Sequence, residues 1–522
     1  MKDKRFQIGK WVAILGIVIG LAVYLGYCIK IFQLMQMDSD YSNLILEASD
    51  ILHGNFFMNG WTQTGISFFT TDMLYYLIAV AFIGICQESY ASGIMLFCVV
   101  FCGYLLMNCG QKSWKKRILE FVIFAGICAV PSLLGVNLLR AHTGVYVWGF
   151  LGILLVYQLV NKETVTKKQY VFLALVTMLG CIGDALSVIM LVIPAVLYCG
   201  WELLSNACEK PRRYAAILGT TVAGMALSFV WDKLYYAIGT ANKNSFLEQK
   251  TFENFEDLER KFWVYVHSVM GLNGADFSFQ SLLSVNTIFY FLKTILVIMV
   301  FGIMIYNIVN FVKRNHKDVI SELLSLGFVF ISIVFVMTTV SSNIYSARYI
   351  GVCPVIFAIL IIRYMRQKNI FECKITNKRV ILWPLFVVLS VAFILNNGII
   401  LINQERPETE QQRVAEYLKT QDVKCGYGNF WDASYVTVMT KNETQIRPIS
   451  INDNADIFKW ASKDTWYDTK AQFIIVRNEE WVEMGVNYDN VIKVFGQPKE
   501  VKEFENYKIM IYNYDLSSKI QK

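Results

Sequence analysis

Twelve apolar runs, most of them near the length that crosses a bilayer, leave this chain few choices of fold. They fall at about 11–33, 70–86, 90–109, 118–138, 145–160, 168–182, 186–205, 214–238, 287–312, 319–341, 347–363 and 380–402. A crossing takes about 20 apolar residues. Lipid supplies no water to backbone N–H and C=O groups, so each crossing must be helical. The predicted class is therefore a polytopic α-helical membrane protein with about 11–12 transmembrane helices. Composition agrees: 55% of the 522 residues are hydrophobic and 17% are charged. Ordinary globular domains carry roughly 25% charged residues.

Charge sets the expected topology. Lys2, Lys4, Arg5 and Lys10 precede an apolar run of about 22 residues that starts at Trp11. That run exceeds the roughly 7–15-residue core of a signal peptide, so it reads as an uncleaved first span. Further basic clusters follow at Lys112/Lys115/Lys116/Arg117, Lys162/Lys167/Lys168, Lys210/Arg212/Arg213, Lys313/Arg314/Lys317 and from Arg363 to Arg379. Basic residues mark cytoplasmic loops. Residues 34–71 hold no Lys or Arg but do hold Asp38, Asp40, Glu47 and Asp50, so that loop is expected outside. If both 70–86 and 90–109 crossed, every later basic loop would be inverted, so residues 70–109 are expected to make one net crossing. The N-terminus then lies in the cytoplasm of a plasma-membrane protein and the C-terminus outside. Twelve crossings, with both ends inside, is the alternative. The net charge of +7 is spread over these loops, which argues against nucleic acid as a partner. The 12 cysteines lie mostly in apolar runs with no CxxC or metal spacing. They read as small hydrophobes rather than a disulfide set or a zinc site.

Three regions are large enough to matter outside the membrane: 34–71, 239–286 and 404–522. In the second, Phe255, Leu258 and Phe262 share a helical face beside Trp263 and Tyr265, which predicts a helix lying in the interface. The third is charged and soluble in character. A helical pattern from Glu408 to Lys419 precedes strand-like runs at 473–476, 491–495 and 508–512. A small α/β domain is expected over 404–522, after a membrane domain over 1–403.

Chemistry concentrates just after the first span. Asp38 and Asp40 stand two apart at the membrane surface, followed by Leu44, Ala48, Ile51 and Leu52 at the spacing of a short amphipathic helix resting on the membrane. A carboxylate placed there can take a proton from an acceptor hydroxyl. The pair can also hold a hard cation, Mg or Mn, against a phosphate, although no cofactor is required by the sequence. The plainer reading is that both acids cap the helix. Arg348, in Ser346-Ala347-Arg348-Tyr349, sits at an outside helix border, where a planar guanidinium suits a phosphate or snorkels to headgroups. Arg140 and His142 form another outside cluster, with His142 either facing substrate or hydrogen-bonded in the core. Asp184, which interrupts an apolar stretch, is a site candidate or a helix cap. Trp61, Phe56 and Phe57 are suited to sugar stacking or to anchoring at the interface.

Asp38-Ser39-Asp40-Tyr41, Leu46-Glu47-Ala48, Asp50-Ile51-Leu52, Gly54-Asn55 and Gly60-Trp61 resemble the corresponding stretch of the GT-C superfamily of membrane glycosyltransferases. That superfamily includes protein mannosyltransferases and the aminoarabinose transferases acting on lipid A. The similarity is best to its bacterial members, and the many-helix layout with an outside C-terminal domain matches as well. The resemblance implies a polyprenyl-phosphate sugar donor, a glycan, lipid or protein acceptor, and inverting transfer at the outer face. It points to Asp40 as the base with Asp38 close behind, and to a cation, Arg348, near the carrier's phosphate; Tyr349, His142 and Asp184 are further candidates for substrate or phosphate contacts from their own positions in the sequence. A transporter or flippase of lipid-linked sugars, or a polysaccharide polymerase or ligase, is the rival reading. The transferase reading requires the acids, Arg348 and His142 to meet at one cavity.

Overall fold

The protein is described from a computed structural model that covers residues 2–206, 208–243, 251–278, 281–370, 382–478 and 483–521. Cys373 and the basic residues beyond position 370 in the 363–379 cluster lie outside the described residues. The apolar runs form helices. The first stretch contains α1 (Lys2–Phe32), α2 (Ser39–Leu52), β1 (Trp61–Gln63), α3 (Asp72–Ile83) and α4 (Ser89–Asn108). Next come α5 (Trp114–Phe124), α6 (Leu133–Leu138), α7 (Val145–Asn161), α8 (Lys167–Gly183), α9 (Ile193–Leu203) and α10 (Pro211–Ile238). After β2 (Asn242–Lys243) come α11 (Leu258–Leu272), α12 (Val285–Val312), α13 (Val319–Met337), α14 (Cys353–Gln367) and α15 (Leu382–Ile402).

Six of these, α1, α4, α10, α12, α13 and α15, are long and apolar enough to cross a bilayer. The 3-10 turn Ile344–Ile350 and α14, bent by 47°, make a seventh if they cross as one unit. α3, α7 and the helix over Val188–Leu203 are apolar but shorter. With 12 residues and a rise of about 1.5 Å each, α3 is about 18 Å long and cannot span about 30 Å of hydrocarbon. α4, with 20 residues, can.

The tail supplies α16 (Glu410–Lys419), β3 (Cys425–Gly428), α17 (Phe430–Met439), β4 (Gln445–Ile451), β5 (Ala455–Ile457), β6 (Ser462–Lys463), β7 (Phe473–Arg477), α18 (Tyr488–Phe495), β8 (Glu500–Phe504), β9 (Tyr507–Ile511) and β10 (Ile520–Gln521). Its mixed sheet has the order β10-β5-β4-β3-β7-β9-β8. β3 runs parallel to β4 and β7, with Gly426 opposite both Ile446 and Phe473. The strand expected at 491–495 is instead α18. Asn487 caps it by accepting from the Asn490 amide at 2.9 Å, Gly496 ends it at φ +83°, and Val491 and Phe495 are buried four residues apart. Residues four apart share a face in a helix and in a strand alike, so the cap residues decide the outcome.

The tail is welded to the membrane domain. One apolar core joins Leu44, Ile45 and Ala48 of α2 to Val414, Leu418, Val436 and Phe473 of the tail. Ser434 Oγ donates to Asn43 Oδ1 at 2.6 Å, and Ser39 Oγ donates to the Trp431 carbonyl at 2.8 Å. So α2 does not rest on the membrane as expected. α17 covers one side and α3 another, and every residue from Tyr41 to Ala48 is buried. A small second sheet ties together the three regions expected outside: β1 pairs with β2 and with β6. Lys463 adds a salt bridge to Asp50 at 2.8 Å, and Trp61 donates to the same carboxylate at 2.7 Å. Gly60 makes the sharp entry to β1 at φ +77°, a left-handed conformation that costs glycine little. The turns around Gly110, Asn161, Lys210, Lys317 and Arg366 meet at a different cavity. The acidic loop therefore gathers with the tail, and the basic turns gather elsewhere.

In α11, Phe255 just upstream is 89% exposed, and Phe262 and Trp263 are about half exposed. Tyr265 is turned inward instead, its hydroxyl hydrogen-bonded to Ser332 at 2.7 Å. The Asn43–Ser434 contact makes a direct test of tail docking. Ser434→Ala strands the buried Asn43 amide and should lower stability by about 1–3 kcal/mol. Thermal unfolding in detergent, followed by tail-domain proteolysis, measures it.

Candidate active site

The acidic pair occupies two different environments. Asp38 is the N-cap of α2 and accepts from the Tyr41 amide at 3.2 Å. Its other side faces Arg140 Nη2 at 3.7 Å. Asp40, the second residue of the helix, opens onto a cavity of about 130 Å³. Arg348, Tyr349, His142, Glu47, Gln63 and Trp460 line the same space. Of the residues singled out from the sequence, Asp40, Arg348, Tyr349 and His142 thus meet at one cavity. Asp38 stands behind its wall.

Arg140 explains how the pair is held. It is buried, yet it reaches four acceptors: Glu88 Oε1 at 2.5 Å, the Gln36 carbonyl at 2.6 Å, the Asn137 carbonyl at 3.1 Å and Asn137 Oδ1 at 3.2 Å. Its guanidinium also lies 4.4 Å from the centre of the Tyr41 ring. The end of α1, the cap of α2 and the start of α4 are thereby pinned to one cation. Glu88 gave no signal in the sequence beyond being an acid at the start of an apolar run.

The second cation, Arg348, is less satisfied. Its guanidinium lies 5.3 Å from the Tyr349 ring centre, and its buried Nε has no hydrogen-bond partner. Arg348 nonetheless lines the cavity, and a half-buried guanidinium in a cavity wall is suited to an anion. Burial first, then the Asp38 carboxylate, push Asp40 up to about 6 against the pull of Arg348 and a hydrogen bond from Trp460. Burial also raises Asp38, with Arg140 opposing it. Glu47, on the face of α2 that the pattern marks as apolar, is pushed up to about 8 by burial and by Asp50. It stays protonated at neutral pH and can donate a hydrogen bond into the cavity.

His142 sits at φ +57°, between the rings of Phe68 and Tyr349 at 5.0 and 4.8 Å. Its Nδ1 pairs with Asp184 Oδ2 at 2.6 Å. Asp184 also accepts from the Leu186 amide at 2.9 Å. It does not line the cavity, because these two bonds use its carboxylate to fix the imidazole. Asp184 therefore meets the cavity only through His142. Trp61 is likewise not in the cavity; it is buried edge-on to Trp466 at 5.0 Å. Trp460 and Ala461 come from the tail, more than 400 residues from Asp40, and no local pattern points to them.

The donor set is poor for a divalent cation. Asp38 is turned toward Arg140, two guanidiniums already face the pair, and no cluster of three ligating side chains forms among the described residues. No step is assigned to a metal.

Helices crossing in this order, an acidic loop after the first, and a C-terminal sheet domain docked on that loop define a GT-C-like membrane fold. A solved structure, that of ArnT from Cupriavidus metallidurans in the apo state, is similar over 98% of this chain and 99% of that one, with a TM-score of 0.51 and 9% identity. At that identity the likeness concerns the fold. No protein-family profile and no curated protein matches the sequence.

Two measurements probe the electrostatics. Asp40 binds its proton more tightly in the folded chain than its ordinary value of 3.8, so its charge destabilises increasingly as pH rises through about 6. Asp40→Asn should therefore raise thermal stability by about 2–3 kcal/mol at pH 7.5 and by less than about 1 kcal/mol near pH 4. Arg140→Met strands Glu88 and should cost about 3–5 kcal/mol, with the Arg140→Met/Glu88→Met double variant recovering most of it. Thermal unfolding of the detergent-solubilised chain reads both.

Proposed function

We propose that this chain is a membrane glycosyltransferase that moves a sugar from a polyprenyl-phosphate carrier to an acceptor hydroxyl at the outer face of the membrane. The observation that carries this reading is the meeting of a carboxylate poised near 6, Asp40, with an underused guanidinium, Arg348, in one cavity. The fold supports it, since ArnT is a lipid A aminoarabinose transferase of the GT-C group. Positive-inside bias supports the orientation, because the acidic loop and the tail gather away from the basic turns.

The acceptor hydroxyl attacks the anomeric carbon while Asp40 takes its proton. The bond from the anomeric carbon to the carrier's phosphate oxygen breaks, and the phosphate leaves as an anion facing Arg348. Attack opposite the leaving group inverts the anomeric configuration. Glu47, kept neutral, donates to a sugar hydroxyl, and His142, steadied by Asp184, packs with Tyr349 beside the ring. Asp38 acts indirectly, holding α2 and Arg140 so that Asp40 points inward. At about 130 Å³ the cavity falls below the roughly 300–1,000 Å³ of whole-ligand sites. It houses the reacting sugar, while the lipid tail lies between helices.

Mass spectrometry of surface glycans from cells carrying Asp40→Asn should show loss of one modification, with transfer reduced about 10²–10⁴-fold in purified protein. The wild-type rate should fall on the acid side of about 6, where Asp40 becomes protonated. Unchanged glycans would overturn the assignment. Glu47→Gln should keep most activity while Glu47→Ala loses about fivefold to tenfold, the worth of one hydrogen bond.

A further inference from the structure

We propose that a second cavity, built around Lys293, binds the phosphate of a lipid headgroup. Lys293 lies about 12 Å along α12, a helix long and apolar enough to span the membrane. It is only 5% exposed. Its Nζ donates to Asn397 Oδ1 on α15 at 2.6 Å, and the Phe393 ring centre lies 5.5 Å away. Asn397 is held in that orientation by donating to the Val130 carbonyl at 2.9 Å. Among the described residues no carboxylate comes within the 4.0 Å of an ion pair to Lys293. A buried ammonium with one acceptor and no counter-charge is costly, and ionisable groups at membrane depth mark binding sites.

The space beside it holds the missing partner's place. A cavity of about 360 Å³ is lined by Lys293, Ser132, Tyr290, Asn397, Asp276 and apolar residues of α15. Gly274, at φ +61°, keeps the approach open, since a Cβ there would meet Nζ at 2.9 Å. Asp276 is the one acid in the lining. Its carboxylate is already used, accepting from the Ser278 amide at 3.0 Å and facing His267 at 3.4 Å. Beyond Asp276 an outer groove adds Arg260, Trp263 and His267, with Arg260 paired to Asp257 at 3.1 Å. Walls from two spanning helices and, at the bottom, an ammonium with no carboxylate partner among the described residues match an anionic headgroup with its acyl chains in the bilayer. The turn Ile344–Ile350 borders both cavities, with Ile344 on this one and Arg348 and Tyr349 on the other. The site is thus adjacent to the Asp40 cavity yet made of different residues.

The test reads binding rather than transfer, so it stands apart from the fate of the transferase assignment. Full-length protein in neutral maltoside micelles is titrated with dodecyl phosphate and followed by thermal shift, in an Arg348→Gln background that silences the first cavity. Saturable binding is expected. It should weaken at least tenfold in Lys293→Gln, return in Lys293→Arg, and weaken in Ile400→Trp, which fills the cavity while leaving Lys293 in place. Inorganic phosphate should bind far more weakly than dodecyl phosphate. Equal affinity in Lys293→Gln and its parent would overturn the site. Equal affinity for inorganic phosphate would overturn the lipid as its source.

Discussion

The site depends on one buried cation. Arg140 accepts the cost of burial only because Glu88, the Gln36 carbonyl and Asn137 surround it. A pair of this kind adds little net stability compared with well-packed apolar residues of the same volume. What it supplies is position. Three chain segments that are far apart in sequence, 36–38, Glu88 and 137–140, must converge before its donors are satisfied, and only then does the cap of α2 sit where Asp40 faces inward. A hydrophobic contact at the same point would tolerate sliding by a turn, but a guanidinium with fixed donor directions does not.

The same arrangement sets the acid strength of Asp40. Asp38 and Asp40 are two residues apart on one helix, so their charges oppose each other. Arg140 is spent on Glu88 and the cap, which leaves Arg348 as the nearer cation for Asp40. The result is a carboxylate that is neither fully stabilised as an anion nor silenced by protonation. Docking of the tail completes this balance, because Trp460 lines the cavity beside Asp40 and helps close it. The tail is therefore part of the cavity wall. This accounts for the shared apolar core between α2 and the tail, which a loosely tethered module would not need.

Much of this was legible in the sequence for a simple reason. In a chain whose helices are forced by lipid, a charged residue at the border of an apolar run stands out. Asp38, Asp40, Arg348, His142 and Asp184 were all visible that way. The division of labour among them was not, because it depends on which neighbour uses each lone pair. Asp184 and Asp38 carry the same charge as Asp40 but are occupied by His142 and by the helix cap. Glu47 was hidden by its setting on an apolar face, although an acid at that spacing is itself the signal. Trp460 was beyond reach, since only the docking of the tail brings it to α2. The helix at 491–495 was misread because five apolar-rich residues fit either period, and the cap residues Asn487 and Gly496 decide between them.

The turn Ile344–Ile350 is a shared wall. A 3-10 segment rises about 2.0 Å per residue, so Ile344 and Arg348 stand about 8 Å apart along it. Asn343 caps its start by accepting from the Tyr345 amide at 3.0 Å, and the Tyr146 hydroxyl donates to the Tyr349 carbonyl at 2.7 Å near its end. Held at both ends, it presents Arg348 and Tyr349 to the Asp40 cavity while Ile344 borders the cavity around Lys293. The position of the second cation therefore depends on this short segment as the position of Asp40 depends on Arg140.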